Sequence, residues 1–138
     1  MALPPLQTNG TLPPGEHHAT FADIVAAFPA STVERQELNQ ALQDALPAFQ
    51  KLRLLAPNMI VYINGSYITT KPSPIDIDIA ILTDVYNEVQ IRAFFDQECP
   101  IAATYLDLKA DKSTNRQLVR AFTFTRNGQP KGVIILDV

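Results

Sequence analysis

Length, composition and charge set the first limits on this chain. Its 138 residues, 46% hydrophobic and 18% charged, have the composition of an ordinary globular domain large enough for a core. A net charge of -3 gives no general attraction to nucleic acid or to an anionic membrane. The single cysteine, Cys99, excludes an internal disulfide framework. Because the apolar stretches are short and no secretory signal pattern is present, we expect a cytoplasmic protein without a membrane partner.

The N-terminal part of the chain predicts an irregular segment and then a short helix. Prolines concentrate in residues 1–19, which we expect to be irregular, and a single domain is expected over residues 20–138. Thr20 and Asp23 form a capping-box pattern for a helix that ends near Phe28.

A longer helix is predicted next. Ser31 with Glu34 repeats the capping-box pattern, and apolar residues then recur at helical spacing to about Leu55. Pro47 lies inside this helix and is expected to kink or interrupt it.

Strands and helices alternate through the rest of the sequence. In chain order the predicted elements are a strand at 59–63, a strand at 75–82, a helix over about 85–97, a strand at 102–108, a helix at 115–124 and a strand at 133–138. Thr83 is the expected cap of the helix at 85–97, and its core candidates are Val89, Phe94 and Phe95. Residues 115–124 also fit one arm of a hairpin, although helix is the preferred interpretation.

The strand predicted at 75–82 carries the most informative pattern. Every odd position from Ile75 to Ile81 is isoleucine, so these side chains share one face, while Asp76 and Asp78 share the other. Aspartate is depleted in strands, and neighbouring like charges repel. The pair therefore indicates a bound cation, with a solvated strand face as the simpler alternative.

A Gly-Ser turn and a third carboxylate extend this pattern. Gly65 and Ser66 follow the strand at 59–63, and such a turn lets backbone amides and a hydroxyl approach phosphate. Asp107 lies between leucines in a later strand, and Asp111 and Asp137 are alternative third carboxylates. Three carboxylates on adjacent strands can hold one or two Mg²⁺ ions, or Mn²⁺.

Nearby polar residues are weaker candidates. Thr69 and Lys71 can reach a phosphate from the segment after the Gly-Ser turn, although a lysine at such a position is also common on a surface. Arg126 and Lys131 flank a later turn, and we expect them to face solvent.

Together these motifs resemble the signature of a known superfamily. The motifs Gly65-Ser66, Asp76-Ile-Asp78 and Leu106-Asp107-Leu108 resemble those of nucleotidyltransferases related to DNA polymerase β. A wider likeness, from Leu12-Pro-Pro-Gly15 to Lys131-Gly132, is to small bacterial nucleotidyltransferase-like proteins of unassigned function.

The resemblance implies a fold and an activity. The expected fold is α+β, with a mixed sheet and helices packed mainly on one face. The expected reaction is Mg²⁺-dependent transfer of a nucleoside monophosphate from an NTP to a protein, an RNA end or a small molecule. Asp76, Asp78 and Asp107 would be the catalytic metal ligands, and Gly65, Ser66, Thr69 and Lys71 would bind the nucleotide.

Two departures keep other functions open. Pro72 and Pro74 stand where larger members have a regular helix, and no second helical domain is evident. The alternative is a non-catalytic or partner-dependent nucleotide-binding protein, such as one component of a toxin–antitoxin-type pair with a small helical protein. A degenerate domain kept for structural reasons is the third interpretation.

Overall fold

A five-stranded mixed sheet forms the centre of the protein in the computed structural model, which describes residues 3–138. The strands are β1 (Gly15–Ala19), β2 (Ile60–Asn64), β3 (Ile77–Leu82), β4 (Leu106–Asp111) and β5 (Gly132–Leu136). Their order is β1-β5-β2-β3-β4, with β1–β5 and β3–β4 parallel and both pairs of β2 antiparallel. The predicted α+β class with a mixed sheet is confirmed.

Within residues 3–138, five α-helices surround the sheet unequally. They are α1 (Phe21–Ala27), α2 (Val33–Leu55), α3 (Glu88–Glu98), α4 (Pro100–Ala103) and α5 (Gln117–Arg120). Side chains of α1 to α4 join the main core, whereas α5 packs on a smaller cluster at the other side of the sheet. None of the helices among residues 3–138 has the length and apolar character needed to cross a membrane.

The sheet therefore has two distinct faces. On the helix-covered face, Ile63 of β2 lies opposite Ile79 of β3 and Ile134 of β5, and all three are buried. On the opposite face, Tyr62 lies against Ala80 in the smaller cluster. Alternation along each strand keeps these two sets apart.

The predicted irregular segment at residues 1–19 is wrong for its last five residues, which form β1. This strand pairs with β5 at the far end of the chain, from Gly15 beside Gly132 to Ala19 beside Leu136. The residues of β1 have low strand propensity, and pairing with the distant strand β5 holds them in the sheet. Local sequence patterns do not reveal such pairing.

The first helix begins as predicted, and the second does not. In α1, Thr20 and Asp23 form the complete capping box. In α2, the cap is Thr32 and not Ser31. The hydroxyl of Thr32 accepts a hydrogen bond from the backbone N–H of Arg35 at 3.2 Å and donates one to the carbonyl of Pro72 at 2.6 Å. The second bond is tertiary and favours Thr32.

Proline 47 does not interrupt α2, which runs continuously from Val33 to Leu55. The carbonyl that loses its helical partner belongs to Gln43, four residues earlier. Both Pro47 and Gln43 are exposed, so water can hydrogen-bond to this carbonyl.

Several predicted boundaries in the middle of the chain are wrong. Strand β3 begins at Ile77, and Ile75 is 81% exposed instead of joining the apolar face. Asn87, in a capping box with Gln90, replaces Thr83 as the cap of α3, which leaves the predicted core residue Val89 at the surface.

The predicted core of α3 is otherwise confirmed in part. Phe95 is fully buried and Phe94 packs partly buried against the core, while Ile91 takes the place expected for Val89. The shift follows from the later start of the helix, which changes the side that faces the sheet.

Two further elements differ from the predictions after residue 99. The strand expected at 102–108 starts only at Leu106, because Pro100 opens the short helix α4, and it continues to Asp111. The helix expected at 115–124 is limited to α5, and Phe124 forms an isolated bridge with Pro130. Each interpretation of 115–124 therefore describes part of the segment.

Candidate metal centre

A row of polar side chains crosses three strands at one end of the sheet. The register places Asn64 of β2 opposite Asp78 of β3, and Asp78 beside Asp107 of β4. Residues paired in this way project from the same face, so the three side chains lie on the opposite face, beyond Ala80.

The three predicted metal ligands are brought together. Asp76 lies one residue before β3, and Asp76, Asp78 and Asp107 each offer a carboxylate oxygen within 4.8 Å of the others. All three side chains are half-buried. This separation allows one divalent cation to contact all three oxygens, which are the ligand type preferred by Mg²⁺.

The alternative third carboxylates are engaged elsewhere. Asp111 accepts hydrogen bonds from the side chain of Asn115 at 2.7 Å and from the backbone of Lys112 at 2.8 Å. Asp137 pairs with His18 at 2.9 Å, at the edge formed by β1. Among the three candidates, the fold therefore places Asp107 at the cluster.

The charges of the cluster oppose one another. The pKa of Asp78 is raised to about 6 by burial, by the charge of Asp76, and by a hydrogen bond and charge interaction with Asp107. The positive charge of Lys109 partly offsets this rise. The ammonium of Lys109 lies 3.8 Å from Asp107. A cation between the carboxylates would relieve this repulsion.

Asn64 adds an independent sign of a ligand. Its side chain is 5% exposed, and its Oδ1 has no hydrogen-bond partner among the described residues. A buried amide oxygen without a partner costs about 1–3 kcal/mol. Because an amide oxygen is also a suitable ligand for a hard cation or its bound water, Asn64 fits the same centre. The sequence indicated a turn at Gly65 and Ser66 and gave no role to Asn64.

Gly65 is required by the position of Asp78. Its φ is +81°, and a Cβ at this residue would lie 2.1 Å from Oδ2 of Asp78. A side chain at residue 65 would therefore displace the carboxylate. This contact explains physically why glycine stands between Asn64 and Ser66.

A cleft of about 680 Å³ opens beside the carboxylates. It is lined by Thr11, Asn64, Gly65, Ser66, Thr69, Lys71, Ile75, Asp76, Asp78, Thr125, Arg126 and Lys131. Asp107 reaches the cluster from a neighbouring hollow, which it shares with Arg92 and Asp96. The carboxylate cluster therefore lies at the border of the two hollows.

Arg35 of α2 organises the segment after the Gly-Ser turn, which we call the turn loop (residues 65–71). Its guanidinium is buried and donates to backbone carbonyls of this loop, namely those of Ser66, Tyr67, Thr69 and Lys71. Burial lowers the pKa of Arg35. Several carbonyls are thus drawn towards one helix, which holds the loop at the cleft. Spacing along α2 did not identify this residue.

The two weaker candidates in the turn loop have different surroundings. The hydroxyl of Thr69 donates to the carbonyl of Ser66 at 2.8 Å and accepts from the backbone of Lys71 at 3.1 Å. Thr69 therefore helps to shape the loop. Lys71 is exposed and lines the cleft.

A family model matches residues 4–137 of the chain. The chain belongs to DUF6932, a family of unknown function. No curated protein and no solved structure matches the chain. Membership of DUF6932 therefore covers every residue of the candidate centre and leaves its activity to be inferred from geometry.

The far wall of the cleft contains residues that the sequence had placed in solvent. Arg126 is exposed, as predicted, but also lines the cleft, whereas Lys131 is half-buried. Burial lowers the pKa of Lys131, while the nearby charge of Asp78 raises it. The expectation that Lys131 simply faces solvent is wrong, because β5 lies next to β2 and brings residue 131 to the carboxylates.

Proposed function

We propose that this member of DUF6932 is a metal-dependent nucleotidyltransferase. It would bind an NTP with Mg²⁺, or Mn²⁺, and transfer the nucleoside monophosphate to an acceptor. The observation that carries the proposal is the approach of Asp76, Asp78 and Asp107 to within 4.8 Å of one another beside the Gly65 turn. The motif resemblance described above supports the same activity.

The proposal assigns one role to Asp76 and Asp78 and two alternative roles to Asp107. Asp76 and Asp78 would hold Mg²⁺, which neutralises charge on the phosphates. An acceptor hydroxyl attacks the α-phosphorus, the bond from this phosphorus to the oxygen bridging to the β-phosphate breaks, and pyrophosphate leaves. Asp107 is the third metal ligand or the base that accepts the hydroxyl proton.

The turn loop would contact the phosphates. Gly65 would let the backbone come close to the ligand, and Ser66, which lines the cleft, would offer its hydroxyl to a phosphate oxygen. Lys71 adds a positive charge at the rim, while Thr69 maintains the loop conformation.

Titration calorimetry with ATP, GTP, CTP and UTP, each with and without Mg²⁺, tests the proposal. We expect saturable, Mg²⁺-dependent binding that is lost in Asp76→Asn and Asp78→Asn. Asp44→Asn is the matched control, because Asp44 is exposed on α2 outside the cleft and its replacement removes the same charge. Unchanged affinity in Asp78→Asn, or no binding by the wild-type protein, would contradict the proposal.

A second candidate is a nucleotide-binding regulatory protein that acts with a partner. It is favoured by apolar side chains exposed near the C-terminus of α2 and the start of α3, including Leu54 at 82% and Val89 at 77%. A small helical protein, as in toxin–antitoxin-type pairs, is the partner type that the resemblance implies. If the isolated chain transfers label from an NTP that is radiolabelled at the α-phosphate, this candidate is excluded. Binding without transfer would favour it.

A further inference from the structure

The far wall of the cleft is a loop that internal hydrogen bonds hold in place. We call residues 123–131 the C-terminal loop. The backbone of Thr125 donates to the carbonyl of Gln129 at 2.8 Å, and that of Lys131 donates to the carbonyl of Thr123 at 2.8 Å. The hydroxyl of Thr125 also accepts from the backbone of Gln129. The loop therefore has a defined conformation although it lies outside the sheet.

A second segment ties this loop to the rest of the site. We call residues 7–13 the N-terminal arm. On one side, the side chain of Asn9 donates to that of Gln129 at 2.8 Å, and the side chain of Gln7 donates to the carbonyl of Pro130 at 3.2 Å. On the other side, the carbonyl of Gly10 accepts from Thr70 of the turn loop at 3.2 Å. The arm thus connects both walls of the cleft.

Cations and carboxylates occupy different parts of the cleft. Lys71 lies in the turn loop, Arg126 and Lys131 lie in the C-terminal loop, and Asp76 and Asp78 line the same cleft from the start of β3. Among the ion pairs within residues 3–138, none involves these three cations. The cleft therefore brings three basic side chains to the cluster of three carboxylates, in a protein whose net charge is -3.

This distribution fits one kind of ligand. A polyphosphate can contact a metal held by carboxylates and, with its remaining oxygens, basic side chains on the walls. A nucleobase or a sugar would use neither the metal nor several cations. The unpaired ammonium of Lys131, next to Asp78, is placed to contact the same phosphate chain as the metal.

We propose that Arg126 and Lys131 form a binding site for the polyphosphate tail of the ligand, opposite Lys71. The inference rests on the proposed function for the identity of the nucleotide, and it adds the residues that hold the tail. The C-terminal loop would thereby provide positive charge on one wall of the cleft.

Titration of the full chain with inorganic triphosphate and Mg²⁺ tests this site without a nucleoside. Lys131→Met keeps the aliphatic stem and removes the charge, so we expect affinity to fall about ten- to a hundredfold. Arg126→Gln should weaken binding several-fold, because Arg126 is more exposed. Both variants should reduce the salt dependence of binding, and Lys131→Arg should restore most of the affinity.

Lys112→Met is the matched control, since Lys112 is exposed and lies outside the cleft. Its affinity for triphosphate should equal that of the wild-type protein. Thermal melting of each variant separates loss of charge from loss of fold. Should Lys131→Met unfold, Arg126→Gln, at an exposed position, decides the question.

Wild-type affinity in Lys131→Met and Arg126→Gln, or no triphosphate binding by the wild-type protein, overturns the inference. The two proposals can fail separately. Triphosphate binding that depends on Lys131, without NTP preference or transfer, would leave this site standing and reject the nucleotidyltransferase. NTP binding that depends on Asp78 but not on Lys131 or Arg126 would support the nucleotidyltransferase and reject this phosphate site.

Discussion

The two faces of β3 differ in what they contribute to the protein. On the helix-covered face, Ile77, Ile79 and Ile81 are fully buried in the main core. On the opposite face, Asp78 is half-buried beside Asp107, and burial together with repulsion from Asp76 and Asp107 raises its pKa to about 6. Neighbouring residues of one strand thus have opposite effects on stability. The destabilising carboxylates lie at the end of the sheet that the helices do not cover.

The comparison shows where local rules of stability are broken. The end of the sheet combines carboxylates in a strand, an unpaired amide oxygen at Asn64 and a positive φ at Gly65. The helix-covered face contains none of these features among the residues named above. Such a concentration of unfavourable features at one place is typical of a site selected for function.

A large effect on stability is expected on the helix-covered face. Ile79→Ala should lower the free energy of unfolding by about 3 kcal/mol, because it removes a fully buried side chain and leaves a cavity. Ile79→Val, a smaller deletion at the same place, should cost about 1 kcal/mol. Urea denaturation measures both values. Equal stability of Ile79→Ala and the wild-type protein would refute the assignment of this face as the core.

A comparison of two glycines tests the contact at the open end. Gly65 and Gly128 have φ values of +81° and +79°, but a Cβ would meet Asp78 only at Gly65. Gly128→Ala should cost about 1 kcal/mol for the backbone alone, and Gly65→Ala about 2 kcal/mol more. Metal-dependent ligand binding should be lost only in Gly65→Ala. Equal melting temperatures for the two variants would contradict the close approach.

The raised pKa of Asp78 predicts how stability depends on pH. Its native pKa of about 6 exceeds the ordinary value of 3.8, so the native state holds the proton more tightly than the unfolded state. Stability should therefore fall as pH rises between these values and then level off. Asp78→Asn removes this loss and should be more stable at pH 7 by about 1 kcal/mol, a figure reduced for partial exposure.

Melting curves of Asp78→Asn and the wild-type protein at about pH 4 and about pH 7, without divalent metal, measure this difference. The gain should be much smaller at the lower pH, because the native carboxyl is protonated there while the unfolded one, with an ordinary pKa of 3.8, is only partly ionised. A lower melting temperature for Asp78→Asn at neutral pH would argue against repulsion in the cluster.

The smallest effect is expected at a residue that the sequence assigned to the core. Val89 is 77% exposed, so Val89→Ser should change the free energy of unfolding by no more than about 0.5 kcal/mol. Phe95→Ala, at a fully buried position of the same helix, should cost about 3 kcal/mol and serves as the contrast. A large loss in Val89→Ser would mean that α3 packs with a different side towards the sheet.

Features that depend on near neighbours in the chain could be predicted. The capping box of Thr20 and Asp23 closes within one turn of helix, and the alternation in β3 separates Asp78 from Ile77 and Ile79. The grouping of Asp76 with Asp78 follows from the same alternation.

Features that depend on distant parts of the chain could not be predicted. Strand β1 exists because β5 pairs with it, and Thr32 caps α2 in part because Pro72 accepts its hydroxyl. The start of α3 is a different kind of error, because Asn87 and Gln90 form a local capping box that the choice of Thr83 overlooked.

The candidate centre divides in the same way. Asp76, Asp78, Gly65 and Ser66 were recognisable as a pattern, while Asp107 competed with two other carboxylates until the pairing of β3 with β4 placed it. The burial of Arg35 and the position of Lys131 in the cleft could not be predicted, since a single basic residue carries no local signal of burial. The catalytic and binding functions of the site residues are predictions for the experiments above.

By itself, the sequence determined which short segments alternate apolar and acidic residues, where a Gly-Ser turn precedes them, and that the chain suits an α+β fold. Only the tertiary structure decided which carboxylate joins Asp76 and Asp78, and that Asn64 and Lys131 face them. The physical reason is range: backbone geometry sets the direction of a side chain within a few residues, whereas register and strand order bring together residues that are far apart in the chain.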